Sequence, residues 1–104
     1  MLQTRLRALN LRSLKLSLTK LAKDLSQANA LTILNLQAVE DVVTSFTDFT
    51  CPNLAFLNIS AIGLVTADFT GMPQLTEVIA HSNSFTSLAQ FATKPMQLVD
   101  LESN

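Results

Sequence analysis

At 104 residues the chain has room for one domain or part of one. With 14% charged and 48% hydrophobic residues it is not a disordered segment, and a net charge of −1 gives no electrostatic reason for nucleic acid or a strongly charged partner. The single cysteine, Cys51, rules out an internal disulfide, and no uninterrupted apolar run approaches the ~18 residues of a membrane span.

The charge is unevenly placed. Arg5, Arg7, Arg12, Lys15, Lys20 and Lys23 all precede the first acid, Asp24, and only Lys94 follows them. Glu40, Asp41, Asp48, Asp68, Glu77, Asp100 and Glu102 lie beyond, so the molecule is expected to be basic at one end and acidic at the other. The first residues are too charged for a secretory signal; being acid-poor and rich in Arg and Leu, they also have the composition of a mitochondrial presequence.

Residues 1–30 admit three readings. Leu11-Arg12-Ser13-Leu14-Lys15-Leu16-Ser17-Leu18-Thr19-Lys20-Leu21 spells L-x-x-L-x-L-x-x-T-x-L, a strand followed by a bend. A frame starting at Leu6 and running through Leu9, Leu11, Leu14 and Leu16 fits too. So does a basic amphipathic helix, with Leu14, Leu18, Leu21 and Leu25 on one face. We adopt the Leu11 frame, which leaves residues 1–10 as an N-terminal cap or partial repeat.

From Leu31 the spelling recurs. Leu31-Thr32-Ile33-Leu34-Asn35-Leu36 and Leu54-Ala55-Phe56-Leu57-Asn58-Ile59 share their apolar spacing and an Asn in the same slot. Openings at Leu11, Leu31, Leu54, Leu75 and Leu98 give intervals of 20, 23, 21 and 23 residues, inside the window of about 20–29 for leucine-rich repeats. Three return segments carry one phrase, Phe49-Thr50-Cys51-Pro52-Asn53, Phe69-Thr70-Gly71-Met72-Pro73 and Phe91-Ala92-Thr93-Lys94-Pro95. Each Phe is expected to fill the gap between successive layers, and each Pro to end any helix before the next strand.

Over residues 11–104 the chain resembles a leucine-rich-repeat protein. The Phe-x-Gly phrase is similar to the BspA-like repeats of bacterial surfaces and protists. Cys51-x-x-Leu54-x-x-Leu57-x-Ile59 is similar to the cysteine-containing repeats of ubiquitin-ligase adaptors. The resemblance implies an α/β solenoid with a parallel inner sheet and irregular or short-helical outer returns. It departs from the family at the ninth position, usually Asn, Cys or Thr, where this chain has Thr19, Val39, Ile62 and Asn83, and at Asp41, which stands where Leu is expected.

Strand alternation turns the intervening positions outward in columns. The third-position column is Ser13, Ile33, Phe56, Glu77, Asp100; the fifth is Lys15, Asn35, Asn58, Ile79, Glu102; the seventh is Ser17, Gln37, Ser60, His81, Asn104. An apolar middle inside a hydrogen-bonding rim is what a protein-binding face needs. The expected contacts are Ile33, Asn35, Phe56, Asn58, Glu77, Ile79 and His81.

Nothing points to catalysis, a metal or a cofactor. Glu77 and His81, four residues apart on a strand, are separated by about 13 Å, too far to form a base and its orienting acid. Cys51 falls in a small or apolar column with Ala28, Met72 and Pro95 and is expected to be a buried packing thiol. The chain is therefore read as a non-enzymatic protein-interaction module using the concave sheet. The alternative is a display or self-associating fragment of a longer array. In that alternative Leu101-Glu102-Ser103-Asn104 stops mid-strand, leaving Leu98 and Leu101 on an open C-terminal edge for a homodimer.

Overall fold

The computed structural model describes residues 5–87, 89–92 and 95–104. It is a mixed α/β structure with little helix, built on a five-stranded sheet. The strands of that sheet are β1 (Ala8–Asn10), β2 (Ile33–Asn35), β4 (Phe56–Asn58), β6 (Glu77–Ile79) and β7 (Leu98–Asp100). Every neighbouring pair is parallel, and the strands lie side by side in chain order, β1-β2-β4-β6-β7. A second, two-stranded parallel sheet joins β3 (Ser45–Phe46) to β5 (Thr66–Ala67).

Parallel strands in chain order require the chain to return outside the sheet each time. The first return contains helix α1 (Leu18–Asp24), capped by the Ser17 side chain on the Lys20 N–H and burying Leu18 and Ala22. The later returns carry β3, β5 and a short 3-10 turn, Ala89–Phe91. Both sheets and α1 contribute to one core. Leu34, Leu57 and Val78 from the large sheet join Phe46 and Ala67 from the small one, and Leu18, Ala22 and Leu25 from the helical return.

The pairing register corrects the two ends of the sequence reading. Leu9 pairs with Leu34 and Val99 with Val78, so the first strand follows the Leu6 frame rather than Leu11, and the last opens at Met96 rather than Leu98. Aligned positions Ala8, Ile33, Phe56, Glu77 and Leu98 are spaced by 25, 23, 21 and 21 residues. The amphipathic-helix reading holds only for its later part: Leu18 and Leu21 are helical, while Leu14 lies before the helix and is exposed. Thr19 is in α1, not in a bend. Of the segment read as an N-terminal cap, residues 1–4 lie outside the described residues, as do Thr93 and Lys94 in the third return phrase.

The physical reason for the register is the bend that follows each strand. Asn10, Asn35, Asn58 and Asp100 each accept, through Oδ1, the backbone N–H two residues on, at 3.0–3.1 Å. This local turn favours the reversal that the next residue makes. Ser13, Ala38, Ala61, Ser82 and Ser103 occupy the left-handed region, with φ of 58–64°. The Leu11 frame would have put Lys15 in the slot that Asn or Asp fills after four of the five strands; β6 has Ile79 there and its bend still passes through the left-handed Ser82. Leu101–Asn104 is likewise such a bend, not the middle of a strand.

Two other expectations hold. Phe46 stacks on Phe49 at 4.5 Å between ring centroids, and Phe69 lies 6.5 Å from Phe46 and 5.4 Å from Phe91, which meets Phe85 edge-on at 5.0 Å. The aromatic spine therefore runs through three returns. Ala28, Cys51 and Met72 are all fully or almost fully buried in one column; Pro95 does not belong to it, because it is exposed and lies one residue, not three, before the Met96 opening.

Candidate functional site

The outward face of the five-stranded sheet gathers six of the seven expected residues on three adjacent strands, with His81 just beyond them. Ile33, Phe56 and Glu77 stand in register across β2, β4 and β6, and Asn35, Asn58 and Ile79 form the next row. His81 follows β6, where its backbone carbonyl accepts the Ala61 N–H. Neighbouring strands lie about 4.8 Å apart, so the three apolar side chains make one patch. Ile33 is 46% exposed, and Phe56 and Ile79 are half-buried by their neighbours.

The corrected register changes who surrounds that patch. The third-position column begins with Ala8 and ends with Leu98, which is 45% exposed and extends the apolar surface. Asn10 and Asp100 close the fifth column, and Arg12 and Glu102 the seventh. The face is thus basic at β1 and acidic at β7, as the charge order of the chain implied. Ser13, Lys15, Ser17 and Asn104 leave it. Ser17 caps α1, Lys15 forms an isolated parallel bridge with Glu40, and Asn104 sits in the bend after β7.

Two side chains on the face have a structural task that the sequence reading missed. Asn35 and Asn58 point their Oδ1 atoms at the bends, which leaves only the Nδ2 donors to offer a ligand. The signal was present in the recurring Leu-Asn-Leu and Leu-Asn-Ile triplets. Ser60 is a further correction, since it is fully buried rather than outward, with no hydrogen-bond partner for its Oγ among the described residues. His81 reaches the adjacent Ser82 hydroxyl at 3.3 Å.

Burial raises the Cys51 thiol above its ordinary range, because the thiolate would lose its hydration. Asp68, on the return side, is held below the usual carboxylate range by the Thr70 backbone N–H, 2.9 Å away, and by the Thr70 hydroxyl. Among the described residues no three of His, Cys, Asp and Glu gather as metal ligands would, and no helix is long and apolar enough to cross a membrane.

A hollow of about 730 Å³ opens beside the bends after β1, β2 and β4, between Leu16, Val39 and Ile62. Asp41 lines it, with Val42 almost wholly exposed at its side. Asp41 is there because its carboxylate closes the start of α1: Oδ2 accepts the Leu18 N–H and Oδ1 the Val42 N–H, both at 2.8 Å. An acid in a position spelled for Leu thus has a capping role.

No protein-family model, curated protein or solved structure matches the chain.

Proposed function

We propose that the chain is a leucine-rich-repeat solenoid that works as a non-enzymatic protein-binding module, using the outward face of its parallel sheet. The repeat reading rests on the recurrence, at 21–25-residue spacing, of the same strand, bend and left-handed residue. The binding reading rests on one observation: Ile33 and Phe56, paired across β2 and β4, and Ile79, one row further on in β6, bring three apolar side chains to one face of three hydrogen-bonded strands, with Ile33 exposed and the other two half-buried. Amide donors from Asn35 and Asn58 and the charged Glu77 supply a polar rim, the arrangement of an interface hot spot.

Such a face is rigid before it binds, because its strands are fixed by the ladder on both sides. A partner would therefore lose little to ordering this surface. Its recognised segment would be apolar at the centre, with hydrogen-bond acceptors facing the two amides.

The test is affinity capture from native extract with the unaltered chain, with an Ile33→Asp/Phe56→Ala variant, and with a return-side control, Thr47→Arg. Circular dichroism checks that each variant is folded. Binders kept by the control and lost by the face variant are the expected outcome. For a purified binder, Phe56→Ala alone is expected to weaken Kd about 30-fold, the loss of a typical hot-spot side chain. An identical set of proteins on all three baits would sink the proposal.

A further inference from the structure

We infer that the partner of this face is an extended peptide segment lying across the strands, acidic at the β1 end, apolar in the middle and basic at the β6–β7 end. This rests on the binding face proposed above and adds to it the chemistry and orientation of what binds there. The charge of the face falls into three zones, and the middle zone has none. On β2, β4 and the bend after β2 the outward positions are Ile33, Asn35, Gln37, Phe56 and Asn58, with no ionisable group among them.

The charged side chains stand to either side of that neutral band. Arg12 is exposed at the bend after β1, and the exposed Arg7 stands just before that strand. On the other side are the acids Glu77 on β6, Asp100 on β7 and Glu102 at the bend after β7. From β1 to β6 is three strand spacings and to β7 four, or about 14 and 19 Å at about 4.8 Å each. Both separations exceed the screening length of about 8 Å at physiological salt, so the two zones do not neutralise each other across the face. Each shows its own sign to a ligand, which is selected by matching both.

The two amides in the neutral band choose the form of the ligand. Asn35 and Asn58 commit their Oδ1 atoms to the Gln37 and Ser60 N–H groups and so offer only donors. The middle of the ligand must therefore supply acceptors beside apolar side chains. An extended backbone does this with its own free carbonyls, whereas the carbonyls of a helix are already bonded within it. The distances then set the spacing of the charges. At about 3.3 Å per residue, an extended chain passes from Arg12 to the acids in about four to six residues. A helix, rising about 1.5 Å per residue, would need about ten to thirteen.

Display selection of random 16-residue peptides on the immobilised whole chain tests this. Enriched peptides are expected to carry Asp or Glu on one side of an apolar centre and Lys or Arg on the other, about four to six residues apart. For a synthetic peptide of the enriched pattern, Glu102→Arg in the chain is expected to raise Kd about tenfold at low salt. Replacing the basic residue of that peptide by Glu restores its binding to the Glu102→Arg chain. Circular dichroism confirms that each variant is folded. Three results would overturn the inference and leave the binding face standing, provided that Phe56→Ala still abolishes binding. These are peptides without ordered charges, peptides whose charges lie about ten to thirteen residues apart as on a helix, and peptides that bind Glu102→Arg unchanged. No enrichment, or binding indifferent to Phe56→Ala, would overturn the face as well.

Discussion

The bend after β2 and the bend after β4 follow the same path and are held by different atoms. Each begins with an Asn whose Oδ1 takes the N–H two residues on, and each passes through a left-handed alanine, Ala38 or Ala61. Beyond that point they diverge. After β2 the chain buries Val39 and satisfies its backbone through the Lys15–Glu40 bridge, with Glu40 N–H on Leu14 O and Leu16 N–H on Glu40 O. After β4 the backbone has no such bridge. Instead Asn83, reaching in from the following bend and only 7% exposed, accepts three N–H groups from Ile62, Gly63 and Leu64. Its Nδ2 donates to Ile59 O and Ala80 O.

The difference shows that a bend needs its buried polar groups paired and is indifferent to which partner pairs them. It also explains what each region can accommodate. The backbone bridge leaves the next side chain free, and Asp41 uses that freedom to close α1. The amide solution ties successive bends to one another, and Asn104 repeats it by accepting the Phe85 N–H.

Asn83→Ala is the strongest way to break the comparison. It would strand several buried donors and acceptors at once, so a loss of roughly 3–5 kcal/mol in urea unfolding is expected, near the upper range for a point substitution. Val39→Ala, the matching change in the other bend, removes only apolar packing and should cost about 2 kcal/mol. Equal losses would mean that the amide network contributes no more than its volume.

The two glycines sharpen the same contrast between close approach and backbone sign. A Cβ on Gly71 would lie 2.1 Å from the Phe49 carbonyl oxygen, forcing apart two returns beneath the aromatic spine. Gly71→Ala is therefore expected to cost about 2–3 kcal/mol, as overpacking does. Gly63 has open space around its missing Cβ and a φ of +94°, so Gly63→Ala should cost only about 1 kcal/mol, from backbone strain alone. Thermal melts of both would decide. The order reverses if the spine can yield at Phe49.

Much of the middle of this molecule was legible in the sequence, and the reason lies in the bends. Leu31, Leu54 and Leu75 were spelled clearly, so the strands, the columns and the seven face residues fell into place together. At the ends leucine was ambiguous. Leu6, Leu9, Leu11, Leu14 and Leu16 satisfy more than one frame, and Leu98 and Leu101 imitate an opening whose true first residue is Met96. Only Asn10 and Asp100 break the tie, because only an Asn or Asp side chain at that slot accepts the N–H that starts the bend. Apolar spacing alone does not carry that information. The same oversight assigned Asn35 and Asn58 wholly to a partner. The burial of Ser60 had no signal, since a Ser in an outward column reads as polar surface until its neighbours are known.

The smallest effect tests whether the two bends share one backbone. Ala38 and Ala61 both hold φ near 60°, a conformation that costs an alanine about 1–2 kcal/mol and a glycine almost nothing. Replacing either by Gly recovers that strain and loses about 0.5–1 kcal/mol to the greater freedom of the unfolded chain. The net gain should be about 0.5 kcal/mol, or a rise of about 2–4 °C in Tm. If the bends are the same object held by different atoms, Ala38→Gly and Ala61→Gly raise Tm equally. A gain at Ala61 alone would show that Asn83 imposes the left-handed turn there, while the backbone bridge at Lys15 and Glu40 lets Ala38 relax toward an easier conformation in solution.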